Sequence, residues 1–224
     1  MITIKGSIFG MLLAAIGCSL ATSSAPSDAS INIAAVAPTP GKASSQLQTV
    51  VFAGGCFWGV EAVFEHVKGV TDVRSGYAGG EKSTANYDRI SDGDTGHAES
   101  VKVGYDPTKI SYVQLLTVFF SVAHDPTEVD RQGPDVGKQY RSAIFYQNEE
   151  QKKLALEYID AINKSNAFPK PVATEVAALK EFYEAEGYHQ DYMKKNPDQP
   201  YIVVHDRPKL EALKKKFPDL YVER

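Results

Sequence analysis

Between Thr49 and Tyr146 the hydrophobic pattern runs in the order strand, helix, strand, strand, helix, strand, and short unknotted connections leave few ways to pack that order. The run TVVFA, Thr49 to Ala53, is β-branched and aromatic and is closed by Gly54-Gly55, which marks a strand. From Phe57, apolar residues recur at Val60, Val63, Phe64 and Val67, the spacing of a helix that Gly69 stops. Val70 to Tyr77 reads as a second strand. In AESVKVGY, Ala98 to Tyr105, Glu99, Val101, Val103 and Tyr105 share one face of a third. Asp106-Pro107 opens a second helix with a stripe of Val113, Leu116, Phe119 and Phe120, and Tyr140 to Tyr146 supplies the last strand. This is the split βαβ pattern of a ferredoxin-like α+β fold, a two-layer sandwich. A helix from Asn148 to about Lys164 and a strand at Val172 to Val176 begin its C-terminal extensions.

The first 46 residues stand apart. MITIKGSIFGMLLAAIGCSLA, residues 1–21, has one early cation at Lys5 and an apolar run from Ile8 to Ile16, too short to span a bilayer as a mature helix. It reads as an export signal. Two processing positions compete: after Ala21, or before Cys18 in AAIGC, which resembles a lipoprotein box and would tether the chain to a membrane through Cys18. Residues 22–46 are Ala-, Ser- and Pro-rich without hydrophobic periodicity, the composition of a flexible tether. Residues 47–224 then form one catalytic domain, expected outside the cytosol, in a bacterial periplasm or cell envelope. Charge narrows its partners. A net charge of −4 with no basic block argues against nucleic acid.

Of the two cysteines, Cys18 and Cys56, only Cys56 belongs to the folded part. Two readings stand for it. A small residue at a tight strand–helix junction is one; a reactive thiol at the first turn of a helix, where free N–H groups and the helix dipole lower a thiol pKa, is the other. Glu99 also has two readings. It is a carboxylate on an apolar strand face whose burial keeps it protonated and able to act as a general acid, or a strand-end residue that reaches water. Tyr87 and Tyr140 flank polar loops and can donate to a substrate oxygen, while Phe57 and Trp58 can wall an apolar pocket. His189 and Asn196 follow Cys56 at a spacing compatible with a papain-like hydrolase, although GGCFWG lacks that signature. The scattered histidines show no metal-ligand spacing, so neither a metal nor a bound cofactor is expected.

The segments GGCFWGVEAVF, SGYAGG, NYDRISDGDTGHAESVKVGYDP, FFSVAHDPT, QGPDVGKQYRSAIFY and YHQDYMKKNP together resemble the peptide methionine-S-sulfoxide reductase family of the MsrA type, from Thr49 to the C-terminus. The resemblance implies that Cys56 attacks the sulfoxide sulfur and that Glu99 protonates the departing oxygen. It implies that Tyr87 and Tyr140 hydrogen-bond that oxygen, that Phe57 and Trp58 hold the ε-methyl group, and that Asp135, His189 and Tyr192 belong to the substrate site. The implied substrates are oxidised proteins or peptides, and free methionine sulfoxide beside them. Many family members carry a resolving cysteine near the C-terminus, and none follows Cys56 here. The expectation is therefore a one-cysteine, monomeric enzyme. Its sulfenic acid is reduced by an external thiol, either a thioredoxin-like or glutaredoxin-like protein or a small dithiol. The rival readings are the cysteine hydrolase and a non-catalytic envelope binding module.

Overall fold

The computed structural model describes residues 46–224. The export signal, the Cys18 tether and nearly all of the linker expected from sequence lie outside the described residues. Strands β1 (Gln48–Gly54), β2 (Val70–Ala78), β3 (Ala98–Tyr105) and β6 (Ser142–Tyr146) form the centre of a six-stranded sheet. Helix α1 (Phe57–Glu65) joins β1 to β2, and α3 (Tyr112–Val118) lies between β3 and β6. The central order is β6-β1-β3-β2, with every neighbouring pair antiparallel. That is the ferredoxin-like arrangement the element order implies. β7 (Glu175–Ala178) adds parallel to β6 after helix α4 (Glu149–Ser165), and β8 (Phe182–Glu184) adds antiparallel to β2.

Alternation explains how the sheet divides its side chains. Val50, Phe52, Val101, Val103 and Ile144 face the helices and join the main core with Val60, Val63, Phe64, Leu116 and Phe119. Phe52 is fully buried and stacks between Phe64 at 5.1 Å and Phe119 at 4.6 Å, fixing β1 against α1 and the helical segment after β3. The opposite face carries Val51, Ala53, Ala143 and Phe145 in a smaller apolar cluster with Phe182.

Boundaries moved where side-chain hydrogen bonds compete with the helix. Asp106-Pro107 does not open α3. Asp106 Oδ1 instead accepts from the Thr108 backbone N–H and hydroxyl, making a local turn. The helix starts five residues later at Ser111, whose hydroxyl and Gln114 form a reciprocal capping box, and it ends in a π-type segment, Phe119–Ala123. The strand expected at Val172 to Val176 begins at Glu175, because Ala173 N–H donates to the Pro126 carbonyl before pairing with β6 begins. Tyr140 precedes β6 rather than opening it, in a 3₁₀ turn over Lys138–Tyr140.

Besides β8, further short elements had no sequence expectation. They are α2 (Tyr87–Ile90), capped by Asn86, the β4 (Arg131–Gln132) and β5 (Asp135–Val136) hairpin, and α5 (Tyr192–Lys195). A π-type turn, Ile202–Asp206, then leads into α6 (Arg207–Lys216), which packs across α1.

Candidate active site

Gly54-Gly55 turns the chain from β1 into α1, with Gly55 at φ 87°, a conformation glycine adopts freely. Cys56 is the N-cap residue of α1 and is 8 % exposed. It does not cap the helix with its own side chain. The first helical N–H, that of Phe57, instead donates to Glu99 Oε2 at 3.1 Å. Glu99 thus occupies the anion position of the helix start, one residue from the cysteine, although it comes from β3.

Burial controls the charges here. Glu99 is 3 % exposed, so loss of hydration pushes its carboxyl up to about 8, aided by the neighbouring carboxylates Asp135 and Asp206 and opposed by the Phe57 N–H. Glu99 is therefore largely a neutral acid at pH 7. Cys56 is likewise pushed well above the usual thiol range, first by burial and then by Glu99 and Asp206, with the Trp58 backbone N–H and Lys209 acting the other way. This corrects the expectation that the helix start lowers the thiol. The favourable N–H is present, and desolvation outweighs it.

The structure brings the other candidates around this pair. Trp58 stacks on Tyr192 at 3.7 Å with the rings 7° apart, and its indole N–H donates to His189 Nδ1 at 3.1 Å. Because an indole N–H can only donate, neutral His189 carries its proton on Nε2, which is buried without a partner. Burial also lowers the His189 pKa. Phe57 and Tyr87 pack on the same imidazole at 5.0 and 4.3 Å, so Phe57, Trp58, Tyr87, His189 and Tyr192 form one aromatic wall. Tyr87 is pushed up to about 12 by burial and by Glu99 and Cys56; Tyr140 is raised by burial, Glu99, Asp135 and Cys56. Both phenols therefore stay protonated donors within electrostatic reach of the acid and the thiol. Asp135 accepts from the Tyr201 hydroxyl and shares with Cys56 an open cleft of ≈ 400 Å³.

Asn196 is not in this group. Its side chain donates to the Tyr192 carbonyl at 3.1 Å, and among the described residues no hydrogen bond joins Cys56 to His189. The hydrolase pairing is not assembled. Four participants had escaped notice in the sequence. Glu186 accepts from the Tyr87 N–H and the Tyr77 hydroxyl at 3.0 and 2.7 Å, fixing the start of α2. Tyr201 and the Asp206–Lys209 pair come from the segment after α5. Only Asp206-Arg207-Pro208, with its proline just inside a helix start, carried a local signal, and it indicates a helix rather than a site.

The raised Glu99 pKa makes a stability prediction. The folded state holds this proton up to about pH 8, whereas an unfolded glutamate releases it near its ordinary value of 4.5. The proton-linked stabilisation is complete below about 4.5 and is lost as pH rises through about 8. Glu61 and Glu65, each pushed up to about 7 mainly by burial, add losses of the same sign. Glu99→Gln leaves those two intact, so the wild-type Tm should fall more steeply than that of Glu99→Gln between pH 5 and 8. Parallel curves would contradict a buried, protonated Glu99.

Comparison with known proteins gives a consistent set. Residues 48–221 match the family model described as peptide methionine sulfoxide reductase. The chain is 54 % identical over 183 residues to peptide methionine sulfoxide reductase MsrA 2 of Mesorhizobium japonicum, covering 82 % of this chain and 94 % of the relative. It is 55 % identical over 172 residues to the MsrA 2 of a Synechocystis species, covering 77 % and 80 %. Among solved structures, the reduced form of Mxr1 from Saccharomyces cerevisiae superposes with a TM-score of 0.64 at 34 % identity, covering 70 % of this chain and 91 % of that one. Methionine sulfoxide reductase A of Corynebacterium diphtheriae gives 0.60 at 32 % identity, covering 72 % and 84 %.

Proposed function

Since this chain belongs to the peptide methionine sulfoxide reductase family and is an oxidoreductase that reduces methionine sulfoxide, we propose that Cys56 is its nucleophile and Glu99 its general acid. The observation that carries this reading is the buried, largely neutral Glu99 hydrogen-bonded to the residue after Cys56. The aromatic wall of Phe57 and Trp58 receives the ε-methyl group, with His189 and Tyr192 fixing the indole. Tyr87 and Tyr140 donate to the sulfoxide oxygen, and Asp135 borders the mouth of the site with Tyr201.

The sulfoxide oxygen leaves poorly until it gains a proton, and an acid that is still protonated at neutral pH supplies one. A bond forms from Cys56 Sγ to the oxygen-bearing sulfur as the protonated oxygen departs from it as water, and attack of that water on Sγ then breaks the new Sγ–S bond and releases the thioether. The net step is Cys56–SH plus sulfoxide giving Cys56–SOH plus thioether, so the cysteine is oxidised by two electrons and methionine restored. No cysteine follows Cys56 in the sequence. An external thiol therefore attacks the sulfenic acid, water leaves, and a second thiol reduces the mixed disulfide to free Cys56. The reductant is a thioredoxin-like or glutaredoxin-like protein or a small dithiol, and the substrate is methionine-(S)-sulfoxide in proteins or peptides, with the free amino acid also admitted. The apolar leader of residues 8–16 and the Ala/Ser/Pro-rich stretch after it support action in the periplasm or envelope, with Cys18 as the residue a lipid anchor would use.

Turnover of the two epimers tests the reading. With excess dithiol, the enzyme should convert the S-epimer of a peptide methionine sulfoxide to methionine and leave the R-epimer. Turnover of R alone, or of neither, would overturn it.

A further inference from the structure

The cleft that reaches Cys56 is also lined by Val122, His124, His205 and Lys209, and Lys209 is the one lysine or arginine among its lining residues. Lys209 Nζ lies 3.1 Å from Asp206 Oδ1, with 22 % of the lysine side chain exposed and none of the aspartate. Asp206 Oδ2 is buried with no partner, so the carboxylate leans on this single cation and is only half satisfied. Such a group is costly to keep, which asks what it does.

Gly59 gives the location. It sits inside α1, where glycine is less favourable than alanine. A Cβ there would stand 2.1 Å from Asp206 Oδ1 and 2.9 Å from Lys209 Nζ. The missing side chain is thus the seat of the pair, which comes from the end of the Ile202–Asp206 turn and from α6 and presses on α1 three residues after Cys56. The second glycine of GCFWG has a purpose separate from the turn before the cysteine.

We propose that the Asp206–Lys209 pair, seated on Gly59, is a positioning pair that sets how readily the Cys56 sulfur carries negative charge, Lys209 favouring that charge and Asp206 limiting it. This rests on Cys56 being the nucleophile. Its sulfur gains electron density when it prepares to attack the sulfoxide, and again when it leaves as thiolate from the mixed disulfide. A cation held at fixed distance serves both moments, and the anchoring carboxylate stops it from folding onto the sulfur. The other groups bearing on Cys56 come from separate elements: Glu99 on β3, Asp135 on β5, the phenols Tyr87, Tyr140 and Tyr201, and His124, Asp125, Glu128 and His205 around the cleft. None of these residues is substituted in the variants that test the pair.

The test is the pH dependence of Cys56 alkylation by iodoacetamide, from pH 6 to the highest pH at which the chain stays folded, in wild type, Lys209→Met, Lys209→Arg and Asp206→Asn, with the displacement of the rate curves along the pH axis giving the shift of midpoint. No sulfoxide is present, so failure here leaves the reductase assignment standing. Lys209→Met should raise the alkylation midpoint by about half a unit to one unit, less than an unshared cation at contact distance would give. Lys209→Arg should restore it to within about 0.3 units, on the same scale. Asp206→Asn should lower it. A merely structural pair would move both midpoints the same way or not at all, and any pattern other than opposite shifts with arginine rescue overturns the proposal. Should Asp206→Asn not fold, the two variants at the partly exposed Lys209 decide the matter alone.

Discussion

Replacing Glu99 by glutamine is expected to lower kcat for methionine sulfoxide reduction by about 10²–10⁴-fold, the usual worth of a positioned general acid. The substitution is close to isosteric. The amide oxygen can keep the 3.1 Å bond from the Phe57 N–H, so the helix start and Cys56 should stay in place. What disappears is the transferable proton. Glu99 is suited to the proposed acid role because burial, helped by Asp135 and Asp206, keeps it protonated to about pH 8. Glutamine can still donate a hydrogen bond to the oxygen but cannot give the proton away. The loss should therefore fall on kcat with little change in KM, the pattern of an interaction used in the transition state. Steady-state kinetics on a peptide sulfoxide decide it; an unchanged kcat would remove Glu99 from the mechanism.

The larger effect belongs to Cys56→Ser, which should form no methionine above the blank. A weaker nucleophile would only slow a displacement, but this reaction also needs the nucleophile to be oxidised. Sulfur accepts the sulfoxide oxygen as a sulfenic acid, an accessible state of cysteine. Serine would have to form a peroxide-like O–O bond, for which sulfoxide has no driving force. Because Cys56 is a small core member at the N-cap with no cap hydrogen bond of its own, serine should leave the fold intact. Product analysis by mass spectrometry reads the outcome. Methionine formed at a measurable rate by folded Cys56→Ser would show that another group carries the chemistry.

What could be seen in the sequence follows the range of the interactions involved. The sheet order was legible because strand alternation and helix spacing are local, and Glu99 stood out because it interrupts an apolar face that is in fact buried. The first turn of α3 was not, since Asp106 can cap a turn as well as a helix and only the Ser111–Gln114 box tells which. The state of the thiol was misjudged for a related reason. The helix start is visible in GGCFWG, whereas the desolvation that dominates Cys56 comes from packing by distant segments. Tyr201, Asp206 and Lys209 lie far along the chain, and the packing of α6 and the turn before it against α1 brings them to the site. Nothing in their own neighbourhood announces a role. Gly59 could be recognised only from what fills the space beside it.

In the proposed cycle one cysteine performs one two-electron reduction and then waits for an outside thiol. Mixing the enzyme with peptide methionine-(S)-sulfoxide without reductant, and counting methionine and sulfur species, tests it most directly. The expected result is a burst of one methionine per chain, with Cys56 recovered as sulfenic acid by a dimedone-type trap and no disulfide formed. No burst, a burst of two, or an intact Cys56 thiol after methionine release would contradict it.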